Sequence, residues 1–534
     1  MTENTKKHIP RPVVLVILDG WGIGQPYAGN AIYQARTNNM DNLVKKYPTM
    51  TIRAAGEAVG LPWGKFGNSE VGHLNLGLGR VVYQDFSLIN KSISSKEFFT
   101  NEALVKAVEH AQKNDSALHL VGLVSNGAVH ASIDHLYALL KLAALYKIEK
   151  VYIHAILDGR DVPFNSGLNF ISALEFATQE KGVGQIATIS GRFYAMDRNN
   201  NWDRTAQAYL AMTKGEGKKS DNPKKALEAS YKKKIYDEEF IPTVITKNKQ
   251  PIATVKHNDS VIFFNYRPDR ARQLTRAFVI DEMDKFDRGA KLKNVNFTTF
   301  TEYEKGLPVN VAYAPEEPNN ALGEVLSKNN LKQLRIAETE KYAHVTYFFN
   351  GGRETKSPGE DHVLIPSKPV PSYAQIPEMS APEITNKLIE CVSDDIYDFI
   401  LVNYANSDMV GHTGDIEAAI KAIETLDSLI IKVVNNVLAK NGVVMITADH
   451  GNSEVMFNMQ TGQIDKEHTA NPVPFILVGN EYVGKSIGWI DNVSDDLSTM
   501  QPQGILSDVA PTVLDVLGIK KPKEMTGLSL LSGN

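Results

Sequence analysis

Cysteine is almost absent: Cys391 stands alone in 534 residues. A single thiol excludes an intrachain disulfide framework and a cysteine-rich zinc site, and it suits a reducing compartment. Long apolar runs are missing too. None approaches the roughly 20 residues of a membrane span. The first, Val13 to Leu18, is short for the core of a leader peptide and runs into Asp19. No secretory leader and no membrane partner are expected, and the expected location is cytoplasmic. Strong charge of either sign is also lacking. The formal net charge of -5 is too mild for a nucleic-acid partner or a solvating acidic tail. The lysine-rich stretch Lys214 to Lys234 carries Gly215, Gly217 and Pro223 and no interleaved series of aromatics, so it reads as a solvated loop and helix face.

The remainder is an ordinary globular composition on a chain long enough for at least two cores. Its repeated design is a run of aliphatic residues ending in a polar turn. Val13 to Leu18 leads into Asp19-Gly20-Trp21-Gly22, and Leu118 to Val124 into Ser125-Asn126-Gly127. Val151 to Leu157 leads into Asp158-Gly159-Arg160-Asp161, and Ile186 to Ile189 into Ser190-Gly191-Arg192. Val261 to Phe264, Phe399 to Val402, Val443 to Ile446 and Val473 to Val478 follow the same plan. Such runs predict strands buried on both faces. With helical stretches between many of them, the fold class is α/β with largely parallel sheets. The clearest helix starts at Asp415 and repeats its apolar residues at the helical period until Asn441-Gly442. In open parallel sheets ligands gather beyond the carboxyl ends of the strands, where this chain carries its charged residues.

Two constellations stand out. Asp408 and His412 are four apart, one helical turn. Asp449-His450, His468 and Asp19 complete a set of carboxylates and imidazoles. Those donors suit Mn²⁺ or Zn²⁺ better than an all-oxygen set would, and six of them together with a serine suit two ions better than one. The serine is Ser69, in Gly67-Asn68-Ser69-Glu70-Val71-Gly72-His73. An ordinary serine in such a stretch caps a helix; beside metal ions it becomes a nucleophile for phosphoryl transfer. The second constellation is basic. Arg160, Arg192, Arg198, Arg267 and Arg270 lie in or beside glycine- or proline-bearing loops after strands, where their planar forks suit an anion, and Lys341 adds a point charge. Asp161, next to Arg160, is a candidate for passing protons between hydroxyls.

These motifs, taken with Leu157-Asp158-Gly159-Arg160-Asp161, Ser190-Gly191-Arg192, Arg267-Pro268-Asp269-Arg270, Thr339-Glu340-Lys341-Tyr342, Asp408-Met409-Val410-Gly411-His412-Thr413-Gly414 and Thr447-Ala448-Asp449-His450-Gly451-Asn452, resemble the cofactor-independent phosphoglycerate mutases of the alkaline phosphatase superfamily. The resemblance implies an alkaline-phosphatase-like domain, residues 1–83 with 316–534, interrupted by an inserted α/β transferase domain, residues 84–315. It implies interconversion of 3-phosphoglycerate and 2-phosphoglycerate, as in glycolysis and gluconeogenesis, without 2,3-bisphosphoglycerate. By motif, Asp408, His412 and His468 resemble ligands of one Mn²⁺, and Asp19, Ser69, Asp449 and His450 ligands of a second. His130, Arg160, Asp161, Arg192, Arg198, Arg267, Arg270 and Lys341 resemble substrate contacts. The implied course runs through phospho-Ser69, with glycerate reorienting before it takes the group back. Domain closure at the two crossings, exclusion of water and a monomer are further implications.

One segment departs from the family pattern. Where relatives commonly read Ser-Asp-Gly-Gly-Val-His-Ser-His, this chain reads Ser125-Asn126-Gly127-Ala128-Val129-His130-Ala131-Ser132. The rival readings are a metal-dependent phosphomonoesterase, a phosphopentomutase-like enzyme of the same superfamily, and a non-catalytic phosphate-binding protein. The first shares every metal motif but has no need of the arginines. The ligand types leave Zn²⁺, Co²⁺ and Mg²⁺ open beside Mn²⁺.

Overall fold

Six consecutive aliphatic residues, Val13–Leu18, form a strand in which every side chain is buried. Only a strand covered on both faces accommodates such a run, and burying each of these side chains contributes about 1.5–3 kcal/mol. The computed structural model describes residues 9–315, 318–486 and 496–531. It divides into two compact units, Met1–Gln84 with Glu317–Asn534, and Asp85–Glu316. Residue 316, where the outer domain is expected to resume, lies outside the described residues. Each unit has its own hydrophobic core and its own sheet, so the chain is α/β with largely parallel sheets. No helix among the described residues is long and apolar enough to cross a membrane.

The sheet of the first unit has eight strands, in the order Glu360–Ile365, Gln333–Glu338, Phe399–Tyr404, Val13–Leu18, Val443–Thr447, Val473–Val478, Thr49–Arg53 and Gly504–Ile505. The first five pair in parallel. Val473–Val478 runs antiparallel to both neighbours, unlike the other expected strands. Thr49–Arg53 was hidden in the sequence by its alternating threonines; Thr49 and Thr51 are nonetheless buried. Register then sets up the site. Ile17 is level with Asn403 on one side and with Thr447 on the other. Asp19, Asn403 and Asp449 therefore emerge at one edge of three adjacent strands. Gly20 turns the chain away with φ 75°, and a Cβ there would come within 2.7 Å of the Asp408 backbone. The helix Ile416–Ala439 is capped by Asp415, which accepts from the Ala418 N–H at 3.1 Å, and its apolar stripe is buried.

In the second unit the order is Asn310–Tyr313, Asn296–Thr301, Ser260–Phe263, Leu118–Leu123, Val151–Leu157, Gln185–Gly191, Thr243–Lys247 and Lys218–Ser220, with Gln250–Pro251 paired onto Thr243–Lys247. The six strands from Asn310–Tyr313 to Gln185–Gly191 are parallel. A buried polar chain crosses this sheet. His119 contacts Asp259 at 3.2 Å and His154 at 3.0 Å, and His154 meets Thr188 at 2.9 Å. Such a chain is satisfied in one register only, so it opposes strand slippage. The lysine-rich stretch holds the edge strand Lys218–Ser220 and the helix Pro223–Tyr231, with exposed lysines throughout.

Two of the departures from the family pattern have local structural consequences. Ser132 caps the helix Ile133–Leu145, its hydroxyl accepting from the Asp134 N–H at 3.2 Å. Ala128 sits at φ 52°, in the left-handed region, which costs a residue with a Cβ roughly 1–2 kcal/mol. Ala128→Gly is therefore expected to stabilise this unit by about 1 kcal/mol. Denaturant unfolding of the two proteins checks this, and an unchanged or lower midpoint counts against the strain argument.

Candidate active site

Ser69 is the first residue of the helix Ser69–Leu78, and the cap is its neighbour: Asn68 accepts from the Val71 N–H at 2.9 Å. The capping role suggested for Ser69 thus falls to Asn68, and the Ser69 hydroxyl is free for the site. It donates to Asp19 Oδ1 at 3.1 Å, lies 2.9 Å from His450 Nε2, and accepts from Lys341 Nζ at 2.6 Å. Close approach of the helix to the Asp449 turn needs Gly72, where a Cβ would lie 2.7 Å from Asp449.

Around Ser69 the structure gathers Asp19, Asp408, Asp449, His450 and Lys341, all buried. Lys341 Nζ also donates to Asp19 Oδ1 and Asp408 Oδ2, each at 2.7 Å. Lys341, grouped in the sequence with the arginines, is found here beside Ser69. Burial works against the charge on Lys341, yet Asp19, Asp408 and Asp449 outweigh it and raise its pKa. Burial likewise opposes ionisation of Asp19 and Asp408, and Lys341 overcomes it, holding both below the usual carboxylate range. His450 loses by burial and gains more from Asp449, Asp19 and Asp408, which push its pKa up to about 10. Three carboxylates facing one ammonium thus leave a deficit of positive charge.

A divalent cation fits that deficit. His412 Nδ1 bonds to the Lys466 carbonyl at 2.6 Å and His468 Nδ1 to the Gly67 carbonyl at 2.9 Å. These carbonyls assign the ring protons to Nδ1. The two Nε2 atoms then face each other at 2.9 Å, each 3.2 Å from Asp408 Oδ1. Lone pairs so directed at one another and at a carboxylate call for a shared cation. Asp408 Oδ1 and Asp449 Oδ2 are buried without a hydrogen-bond partner. Donor atoms fall within 4.8 Å of one another in three groups: Asp408, His412 and His468; Asp19, Asp408 and His450; and Asp19, His73 and Asp449. The first grades from buried Asp408 to exposed His412, so it opens to solvent as a catalytic rather than a sealed structural site does.

The second unit brings together the rest. Arg192, almost fully buried, donates from Nη1 to Asp158 Oδ1 and Asp161 Oδ2, each at 2.6 Å. Asp158 also accepts from Ser125 Oγ at 2.7 Å and from the N–H groups of Arg160 and Asp161. Burial would raise the Asp158 pKa, but these donors and Arg192 lower it. Asp269 binds Arg198 at 2.8 Å and Arg267 at 3.1 Å, with His130 Nδ1 at 3.7 Å. Arg160 pairs with Glu238 at 2.9 Å. Burial depresses the Arg270 pKa, and Arg192, Arg198 and Arg160 depress it further. Guanidinium groups crowded enough to disfavour one another's charge form a ready anion site.

Asp158, Asp269, His73 and Asn403 escaped the sequence reading. The two aspartates lie inside motifs whose arginines are the more conspicuous signal. His73 closes the Ser69 motif four residues on, the spacing that puts both on one helix face, and it was available as a signal. Asn403, a strand residue flanked by aliphatics, offered none.

His130 is buried, and burial followed by Arg192 lowers its pKa to about 4. A histidine depressed in the folded state withdraws stability as the pH falls below about 6.5, its unfolded value, towards 4. The expected imidazole titration midpoint, followed by NMR and assigned with His130→Asn, is near 4. A midpoint at 6.5 or above contradicts the burial of His130 among arginines.

Residues 89–305 match the family described as "BPG-independent PGAM N-terminus". The 2,3-bisphosphoglycerate-independent phosphoglycerate mutase of Moorella thermoacetica is 51% identical over 98% of this chain and 99% of its own length. The enzyme of the same name from Clostridium perfringens is 52% identical over the same shares. Among solved structures, phosphoglycerate mutase from Leishmania mexicana, crystallised at low cobalt concentration, matches with a TM-score of 0.52 and 31% identity over 99% of each chain. With half its residues identical across nearly its whole length, this chain belongs to the 2,3-bisphosphoglycerate-independent phosphoglycerate mutases.

Proposed function

We propose that the chain interconverts 3-phosphoglycerate and 2-phosphoglycerate through a phosphoserine on Ser69, at a site for two divalent ions, with Mn²⁺ the leading candidate. The observation that carries the reading is the seating of the Ser69 hydroxyl among Asp19, His450 and Lys341, beside the facing nitrogens of His412 and His468. Ions held by Asp408, His412 and His468, and by Asp19, Ser69, Asp449 and His450, would neutralise the attacking and leaving oxygens and acidify the serine hydroxyl. The Leishmania mexicana enzyme was crystallised at low cobalt concentration, in keeping with a metal-dependent reading.

The chain's own residues supply the remainder. Ser69 Oγ forms the bond to phosphorus as the bond from phosphorus to the glycerate oxygen breaks. The serine proton is made up on that departing oxygen. Lys341 Nζ, 2.6 Å from Oγ, offers fixed positive charge where the oxygen carries its negative charge. In the return half the other glycerate hydroxyl loses its proton, attacks phospho-Ser69 and leaves the serine hydroxyl restored. Arg160, Arg192, Arg198, Arg267 and Arg270 hold the carboxylate and hydroxyls of glycerate, with His130 as a neutral partner. Asp161, kept in place by Arg192 at 2.6 Å, exchanges protons between the two hydroxyls. Retaining glycerate in this way separates a mutase from a phosphatase, which needs no such anion pocket.

Ser69→Ala is expected to reduce turnover in an enolase-coupled assay by at least roughly 1000-fold with unfolding unchanged, the order of loss that follows removal of a covalent nucleophile. Appreciable residual activity removes the nucleophile assignment. Stripping divalent metal with a chelator is expected to abolish activity, and Mn²⁺ repletion to restore it. Release of inorganic phosphate without 2-phosphoglycerate from the repleted protein would establish the phosphomonoesterase instead.

A further inference from the structure

Asn403 is a fully buried amide within the strand Phe399–Tyr404, and its Oδ1 has no hydrogen-bond partner. A buried unpaired acceptor bears the desolvation penalty of its group with nothing to offset it, which leucine at this position would avoid. The amide nitrogen accounts for its presence. Nδ2 donates to Asp19 Oδ2 at 2.8 Å and lies 3.0 Å from His73 Nε2. The reversed amide would turn Oδ1 towards a carboxylate oxygen, so Asp19 fixes its orientation. With an N–H directed at it, His73 Nε2 must carry the lone pair, and the ring proton resides on Nδ1. That N–H meets the Ser69 carbonyl at 2.8 Å and lies 3.1 Å from Asp449 Oδ2. A protonated Nδ1 cannot bind a metal. Although His73 lies within ligand distance of Asp19 and Asp449, the proton on Nδ1 and the Asn403 N–H on Nε2 together leave it no free lone pair for a metal.

We infer that Asn403 and His73 are positioning residues that join Asp19 to the Ser69 carbonyl through one hydrogen-bonded bridge, with His73 Nδ1 lying against Asp449 Oδ2, fixing Asp19 and the first turn of the Ser69 helix for the second ion. The inference rests on the two-ion reading above. It assigns His73 the part that outer partners commonly play for metal-binding carboxylates.

Manganese titration of the metal-stripped full chain, with stoichiometry by elemental analysis, tests it. Wild type is expected to take up two ions. Asn403→Leu and His73→Phe are expected to keep the ion of Asp408, His412 and His468 and to bind the second about 10–100-fold more weakly. In both, kcat is expected to fall with the KM for phosphoglycerate unchanged, because the arginines are untouched. His73→Asn, which keeps a donor near the position of Nδ1, is expected to recover most of the second-ion affinity. Wild-type affinity for both ions in Asn403→Leu and His73→Phe overturns the inference alone. So does a His73→Asn as damaged as His73→Phe, which would make the ring a ligand. Should one apolar variant not fold, the other together with His73→Asn decides. Wild type binding a single ion overturns the two-ion reading and this inference with it.

Discussion

Everything at the Ser69 site answers to one electrostatic constraint: three buried carboxylates, Asp19, Asp408 and Asp449, face a single buried ammonium, Lys341. Placing like charges together away from water is costly, and one Lys cannot balance three Asp. The imbalance shows in His450, where neighbouring carboxylates overcome complete burial and favour the charged ring. Such a deficit suits a cation, and the Nε2 atoms of His412 and His468 face each other at the same place. The fold sustains the arrangement because parallel strands in register bring Asn403 and the turns that carry Asp19 and Asp449 to one edge.

The second unit poses the inverse problem. Its arginines crowd until Arg270 is disfavoured by Arg192, Arg198 and Arg160. Carboxylates are interleaved to make this tolerable: Asp158 and Asp161 on Arg192, Asp269 between Arg198 and Arg267. These pairs keep the guanidinium groups in place while no anionic ligand is there to neutralise them. Asp161 therefore has a structural task alongside any part in proton exchange, and a variant that removes its charge also frees one side of Arg192.

Much of this was legible from residue order. A buried parallel strand demands an unbroken aliphatic run, and the turn after it is where a charged side chain can emerge; both features lie in contiguous residues. Val13 to Leu18 followed by Asp19 is the plainest case. Properties that depend on a partner strand were not legible. Val473–Val478 looks like the parallel strands of its sheet and runs antiparallel to both neighbours, since direction is decided by connection and not by composition. Lys341 was grouped with the arginines because charge sign is visible in a sequence and location is not. Asn403 acquires meaning only when Phe399–Tyr404 lies beside Val13–Leu18 and the Ser69 helix delivers His73 to it.

The Ser69 motif shows how local and distant constraints divide one short segment. Asn68 satisfies the helix start, Gly72 admits the Asp449 turn, and His73 returns one turn later to meet Asn403. Were Ser69 itself the cap, its hydroxyl would be committed to a backbone N–H and unable to face Asp19, His450 and Lys341 together. Moving the cap back one residue separates folding from chemistry. The helix start is capped by the Asn68 side chain, and Ser69 keeps its oxygen for the site. That separation permits Ser69 to be replaced without loss of the cap, which the Asn68 side chain supplies.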